Sequence, residues 1–268
     1  MRVSLPKAKL WDGRFTRPVT RLRRIAFCTT CMDRVHDLRR TLPANLADNA
    51  DYPSLQIVLL DYNSHDGLED WVRHSLADEL KSGRVVYYRT TEPTHYEMAR
   101  SRNLAFALAE AELIASVDAD NFTNAGFASH LNRLAMELPQ QAVFIKSWQR
   151  MNGRIALYKD EWTALGGYDE SLVGYGYDDM DLVRRALASG FTLARFGGAF
   201  ARRLPTPPRS KVANIPRKDW RVTQDLNRGL SEANLKNGQL QANRGARWAV
   251  GTVVRNFTDT LHVGMGPA

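Results

Sequence analysis

From Arg24 onward, apolar residues alternate between short unbroken runs and segments in which they recur at helical spacing. The runs IAFCTT, LQIVLLDY, RVVYYR and ELIASVD read as buried strands ending near residues 30, 62, 89 and 118. Between them, DRVHDLRRTLPANLAD repeats Val35, Leu38, Leu42 and Leu46 on one side of a helix, and LEDWVRHSLADELKSG forms a second helix that Gly83 stops. MARSRNLAFALAEA is a third. Further on, FASHLNRLAMEL predicts a helix ending at Pro139, VFIKSW and RIALYK predict two strands, and EWTALGGYDES and YDDMDLVRRALASG predict helical segments around a glycine-rich turn.

Strand and helix thus alternate at least three times, the pattern of a mostly parallel sheet with helices on both faces. Ligands bind such sheets beyond the carboxyl ends of the strands, so polar residues there are the first candidates for function. Residues 1–21 lack periodicity and read as an N-terminal arm. Residues 22–204 form the α/β domain. From Pro205 the chain turns proline-rich, basic and Asn-rich, which predicts a C-terminal extension over 205–268 folded onto the main domain as an acceptor-side lid.

Composition narrows this picture little: 268 residues, 44% hydrophobic and 25% charged, describe a globular chain with a full core. No stretch approaches the roughly 20 apolar residues of a membrane span, and the positive N-terminus lacks the apolar run of a secretory signal; a cytoplasmic protein is expected. The net charge of +8 is unevenly spread. Residues 1–40 carry eleven Lys or Arg against three acids and residues 195–255 carry thirteen against three, while 41–194 are acidic, with thirteen bases against twenty-two acids. The basic ends are either solvated surface or a face for an anionic partner such as a diphosphate, a phospholipid surface or nucleic acid. Cys28 and Cys31 have C-x-x-C spacing, but no second pair completes a zinc site, and Cys28 ends an apolar run as a core residue would.

Two acidic constellations carry candidate chemistry. Asp118 and Asp120 in SVDADN are two apart at a strand end, where both carboxylates can reach one point; they either offer hard oxygen ligands to Mg2+ or Mn2+ or are solvated acids capping the next turn. Asp178, Asp179 and Asp181 crowd a helix start behind Gly174-Tyr175-Gly176-Tyr177. The helix dipole favours acids there, and crowding raises a carboxylate pKa as a general base requires. The other reading is an acidic helix cap without chemistry.

SVDADN, followed by GGYDES and GYGYDDMDLVRRA, resembles the GT-A glycosyltransferases of the family 2 and galactosyltransferase C-terminal-domain type, over residues 24 to about 200. Those enzymes carry a D-x-D motif and a later G-W-G-x-E-D-x-D element. The resemblance implies a Rossmann-like GT-A domain and inverting transfer from a nucleotide sugar, often a UDP-sugar, to a hydroxyl acceptor such as a glycan, with Mn2+ or Mg2+ on the diphosphate. It also assigns roles: Asp179 the base, Asp178 the acceptor-holding acid, Asp120 the metal ligand, and Asp118 a neighbour of ribose or metal. Thr29, Thr30 and Arg34 would hold the nucleotide. Asp61, with Asn63 beside it, would contact base or ribose, and Arg100 and Asn103 would approach the diphosphate.

Tyr175 and Asp178 depart from the family's usual Trp and Glu, and the shorter acid reaches about one methylene less. His262 is the only histidine after residue 130, which makes it the candidate third metal ligand unless it is a surface residue of the tail. Two rival functions remain. Nucleotidyl transfer uses a similar sheet, but CTTCMDR lacks the glycine-rich phosphate loop. A nucleic-acid-binding protein would account for the basic ends but not for the two acidic motifs; an anionic acceptor combines both features.

Overall fold

The computed structural model describes residues 9–146, 153–200, 202–205, 207, 210 and 212–267. Its elements begin with β1 (Lys9–Leu10), β2 (Ile25–Cys31), α1 (Val35–Asp48), β3 (Leu55–Tyr62), α2 (Leu68–Ser75), α3 (Ala77–Lys81), β4 (Val85–Thr90), α4 (Met98–Leu108) and β5 (Leu113–Ser116). Next come β6 (Asn121–Phe122), α5 (Phe127–Glu137), β7 (Ala142–Ile145), β8 (Ile155–Tyr158), α6 (Lys159–Ala164), α7 (Asp178–Ala188) and β9 (Thr192–Arg195). The chain closes with β10 (Arg202–Arg203), α8 (Trp220–Lys236), β11 (Trp248–Arg255) and β12 (Asp259–Met265).

A ten-stranded sheet runs in the order β1-β9-β7-β8-β5-β2-β3-β4-β11-β12. At its centre β5, β2, β3 and β4 are all parallel, so their carboxyl ends share one edge. These strands are covered on both faces, which is why they read as continuous apolar runs rather than alternating ones. Cys28 and Cys31 lie three apart on β2 and face opposite cores, one with Val58 and Ile114, the other with Leu59 and Phe127. Burial pushes both thiols well above their ordinary range, so they pack as small hydrophobes.

The ends of the chain are built into this sheet. Leu10 of the arm pairs parallel to Leu193 at one edge. At the other, β11 pairs antiparallel with β4 and carries β12 with it. Trp248, Ala249 and Val253 belong to the same core as Leu104 and Trp162. Residues 248–265 are therefore part of the main domain rather than a lid beyond residue 204. The expected 68–83 helix breaks into α2 and α3 at buried Leu76. The glycine turn Gly166-Gly167 ends α6 early, and there is no room for a side chain in it: a Cβ on Gly167 would stand 2.6 Å from Asn103 Oδ1.

Candidate active site

A cleft of about 430 Å³ opens at the carboxyl edge of the parallel strands, floored by the turn after β5 and by the start of α7. Asp118 and Asp120 are in that turn rather than on the strand: Val117 N–H still bonds to Cys28 O at 3.0 Å, but Asn121 N–H turns back to Asp118 O at 2.9 Å. Both carboxylates nonetheless line the cleft. The expected strand geometry fails because the ladder ends at Ser116, and it is the tight turn that leaves both side chains on the cleft.

Opposite them, α7 begins behind Tyr177, whose backbone adopts φ +74° and closes the first helical bond by accepting from Asp181 N–H at 2.8 Å. Asp178 and Asp179 occupy the first turn, where the helix dipole favours negative charge. Asp181 points away from the cleft and is fully buried against Arg185 Nε at 2.7 Å, while the same guanidinium donates to Leu165 O and Gly167 O. Arg185 thereby ties the glycine turn to α7.

The two acidic stretches meet on Arg102, which the sequence reading passed over. Its side chain is only 4% exposed, and it donates to Asp118 Oδ1 at 3.1 Å, to Asp179 Oδ1 at 2.8 Å and to Asp178 Oδ2. Burial is the main reason that the Asp179 carboxyl is pushed up to about 8; the nearby charges of Asp178 and Asp118 add to it, against the pull of Arg102. Arg34 lies 3.7 Å from Asp120 and bonds to Asp37, and Arg203 also lines the cleft. Arg154, buried nearby, donates to Asn121 Oδ1 at 2.9 Å, and burial lowers it to about 10 against the attraction of Asp118 and Asp120.

Of the expected nucleotide contacts, Thr30 and Arg34 line this cleft. Thr30 bonds to the Tyr96 hydroxyl. The others are committed elsewhere and do not line it. Thr29 is buried and donates to Val117 O at 2.8 Å. Asp61 is fully buried, accepting from Tyr87 OH at 2.6 Å and Ser64 N–H at 2.7 Å. Asn63 donates to Pro93 O at 2.8 Å. Arg100 reaches Glu97 and Val250 O in a neighbouring cavity. Asn103 clamps the loop after α6, exchanging two 2.8 Å bonds with the Tyr168 backbone and donating to Glu170. His262 lies on outermost β12, with its ring 3.3 Å from Thr252 Oγ1, and does not join Asp118 and Asp120.

Among the described residues, no group of three His, Cys, Asp or Glu side chains forms a metal cage. The two cleft carboxylates alone fit a hard cation such as Mg2+ or Mn2+ that keeps waters and takes substrate phosphate oxygens for the rest of its shell. The roof comes from the chain after β9. β10 pairs antiparallel with β6 beside the Asp120 turn, Leu204 N–H bonds to Asp120 O at 2.8 Å, and Asn214, Ile215 and Gln224 complete the wall. Tyr175 lines the cleft and packs edge-on against Trp220 of α8. No helix among the described residues is long and apolar enough to cross a membrane.

This mostly parallel sheet, with a carboxylate turn after one strand and an acidic helix start facing it, is the GT-A fold of glycosyltransferases. Residues 132–207 match the family described as the N-terminal domain of galactosyltransferase, a segment that contains α7 and its acids. Among solved structures, the mannosyltransferase PcManGT from Pyrobaculum calidifontis, in complex with GDP-Man and Mn2+, superposes with a TM-score of 0.64 at 20% identity, covering 85% of this chain and 68% of that one. Glucosyl-3-phosphoglycerate synthase from Mycobacterium tuberculosis, in complex with Mn2+, UDP-glucose and phosphoglyceric acid, gives 0.55 at 14% identity over 83% of this chain and 88% of that one. S. aureus TarS in complex with UDP gives 0.55 at 11% identity, over 80% and 72%. No curated protein matches the chain in sequence.

Proposed function

We propose that this chain is an inverting, metal-dependent glycosyltransferase that moves a sugar from a nucleotide diphosphate donor, a UDP-sugar, to a hydroxyl acceptor. The observation that carries the reading is the convergence of Asp118 and Asp120 with Asp178 and Asp179 on one cleft across Arg102. Asp118 and Asp120 hold the divalent cation, Mn2+ or Mg2+, which when bound supplies positive charge to a departing diphosphate.

The chain's own residues divide the remaining work. Asp179 takes the proton of the acceptor hydroxyl as that oxygen attacks the anomeric carbon; a carboxyl held near 8 is a stronger base than one at its ordinary value near 4. A single base on the acceptor side, facing the leaving group across the sugar, gives inversion. Asp178 orients the acceptor. Arg34 and Arg203, which also line the cleft, present guanidinium donors to the diphosphate oxygens, for which Arg is well suited. Arg203, Asn214, Ile215 and Gln224 roof the cleft and limit water entry, the lid role expected for the chain after residue 204.

The nearest support for the cofactor class is that structures sharing this fold were solved with Mn2+ and with GDP-mannose or UDP-glucose. A thermal-shift panel of UDP, GDP and other nucleotide diphosphates, each with and without Mn2+, tests the proposal. A rise in melting temperature for UDP that requires Mn2+ is expected. A response to GDP alone would reassign the donor base, and no response to any nucleotide with metal would remove the proposal.

A further inference from the structure

Helix α8 is amphipathic the wrong way round. Its core-facing residues are polar, with Thr223, Asn227 and Ser231 all buried, while Val222, Leu226 and Leu230, at the same four-residue spacing, are 45%, 60% and 39% exposed. The inversion has a local cause. The buried face serves the backbone of the loop before α7: Thr223 Oγ1 donates to Tyr175 O at 3.0 Å, and Asn227 Nδ2 donates to Val173 O and Gly176 O at 3.1 and 2.8 Å. That requirement turns the apolar stripe outward, and Leu226 at its middle lines one cavity together with Val173, itself 70% exposed. Contiguous exposed aliphatics of this kind mark a binding surface.

This second cavity, of about 440 Å³, has its apolar wall completed by Leu172 and Pro216, while Glu97, Arg100, Glu170 and Arg217 supply its charged rim. Tyr96, Met98 and Ile215 line both this cavity and the catalytic cleft, so the two are neighbours across one partition. We propose that this cavity holds the apolar chain of an alkyl- or prenyl-linked acceptor, whose reacting hydroxyl enters the cleft at Asp179 and whose tail runs out over Leu226. The assignment to the acceptor rests on the glycosyltransferase reading. A second copy of the protein is the less suitable occupant: a stable dimer buries roughly 800 Å² per partner, some 20–30 residues a side, whereas the exposed aliphatics here are the four side chains Val173, Val222, Leu226 and Leu230. A lipid tail needs no more than a narrow apolar track that continues into the site.

Calorimetric titration of octyl and methyl β-D-glucopyranoside into the full chain, with the octyl glycoside kept below its micelle concentration, tests the proposal. Binding of UDP with Mn2+ and sedimentation behaviour are measured on the same preparations of the unsubstituted protein, L226D and V173D. Both substitutions fall at exposed positions, and an unchanged melting temperature shows that they fold. The expected result is an octyl preference of about tenfold or more, which burial of only two methylenes suffices to produce, and its collapse in L226D and V173D. Equal binding of the two glycosides, or a preference that survives both substitutions, overturns the proposal. So does a dimer that L226D dissociates while the octyl preference stays intact. An octyl preference that both substitutions abolish, in a protein that binds no nucleotide, keeps the cavity as an alkyl site and removes the glycosyltransferase reading instead.

Discussion

Arg102 Nη1 lies 2.8 Å from Asp179 Oδ1, in a side chain that also holds Asp118 and Asp178 and is 4% exposed. One buried cation thus compensates three carboxylates from two distant stretches of sequence. Removing one partner of a buried ion cluster costs about 3–5 kcal/mol because the remaining charges stay buried. R102A is therefore expected to lose stability on this scale in urea denaturation at pH 8. The loss should shrink as pH falls from about 8 toward 5, where Asp179 takes up its proton and one of the three charges facing Arg102 is removed. A loss independent of pH would place the importance of Arg102 in packing rather than charge.

Asp179 gives a pH dependence with a definite sign. Its carboxyl is held at about 8 in the folded chain, chiefly by burial, against an ordinary value near 4. The folded protein therefore keeps a proton that the unfolded chain has released. This stabilisation is fully present below pH ~4 and is lost as pH rises through about 8. D179N removes that slope, so its stability relative to the unsubstituted chain should improve between pH 5 and pH 9. Its turnover should fall by about 10²-fold or more with nucleotide binding retained, the typical scale for a general base. In the unsubstituted chain kcat/KM should rise with pH along a limb near 8. Calorimetric melting across pH, paired with initial rates, checks both signs.

The elements that the sequence made legible are those whose burial is symmetric. β2, β3, β4 and β5 lie under helices on both sides, so their apolar runs mark their positions to within a residue or two. The acids at 118, 120, 178 and 179 were legible because each pair is local in the chain. What joins them was not. Arg100 and Arg102 are both basic and differ by two positions, about 200° around the helix. Only the docking of α4 decides that Arg102 faces the cleft while Arg100 faces Val250. Asp61 sits at a strand end as a ligand-binding acid would, yet Tyr87, 26 residues away, takes its oxygen. Helix α8 escaped notice because its buried face is polar, and the 248–265 hairpin because its pairing partner β4 is more than 150 residues earlier.

Asn103 separates a structural role from the expected phosphate contact. Its buried amide exchanges bonds with the buried Tyr168 backbone and reaches half-buried Glu170, between α4 and the loop after α6. Leaving such groups unsatisfied costs about 1–3 kcal/mol each. N103A should therefore lower the urea midpoint by a corresponding amount while the folded fraction binds UDP and Mn2+ with unchanged affinity. A variant of normal stability that binds nucleotide weakly would return Asn103 to the diphosphate.

Asp120 offers the cleanest separation of metal from nucleotide. It is 13% exposed, faces Arg34 at 3.7 Å, and accepts from Asn121 Nδ2 at 2.9 Å. D120N keeps the shape and the hydrogen-bonding capacity but removes a hard anionic ligand. The Mn2+-dependent part of the UDP thermal shift should disappear in D120N, while any metal-independent part remains. H262A, at the far sheet edge, should leave that shift as it is in the unsubstituted chain. Loss of the shift in H262A would place the histidine in the metal shell after all.

Gly153 guards the distance between the two acidic stretches. Its backbone has φ +71°, and a Cβ there would stand 2.6 Å from Asp118 Oδ2 and 2.8 Å from Arg102 Nη2, closer than real contacts permit. G153A therefore combines a strained backbone, worth of order 1–3 kcal/mol, with a push on the carboxylate that is proposed to hold metal. Asp118 is 35% exposed and can swing toward the cleft, whereas Arg102 is packed and cannot. The expected result is a modest drop in melting temperature with a larger effect on function: UDP affinity in Mn2+ falling about tenfold or more, a change of ~1.4 kcal/mol. Nucleotide affinity measured without metal should change far less. Equal losses with and without Mn2+ would mean that the methyl group blocks the nucleotide itself and leaves Asp118 in place.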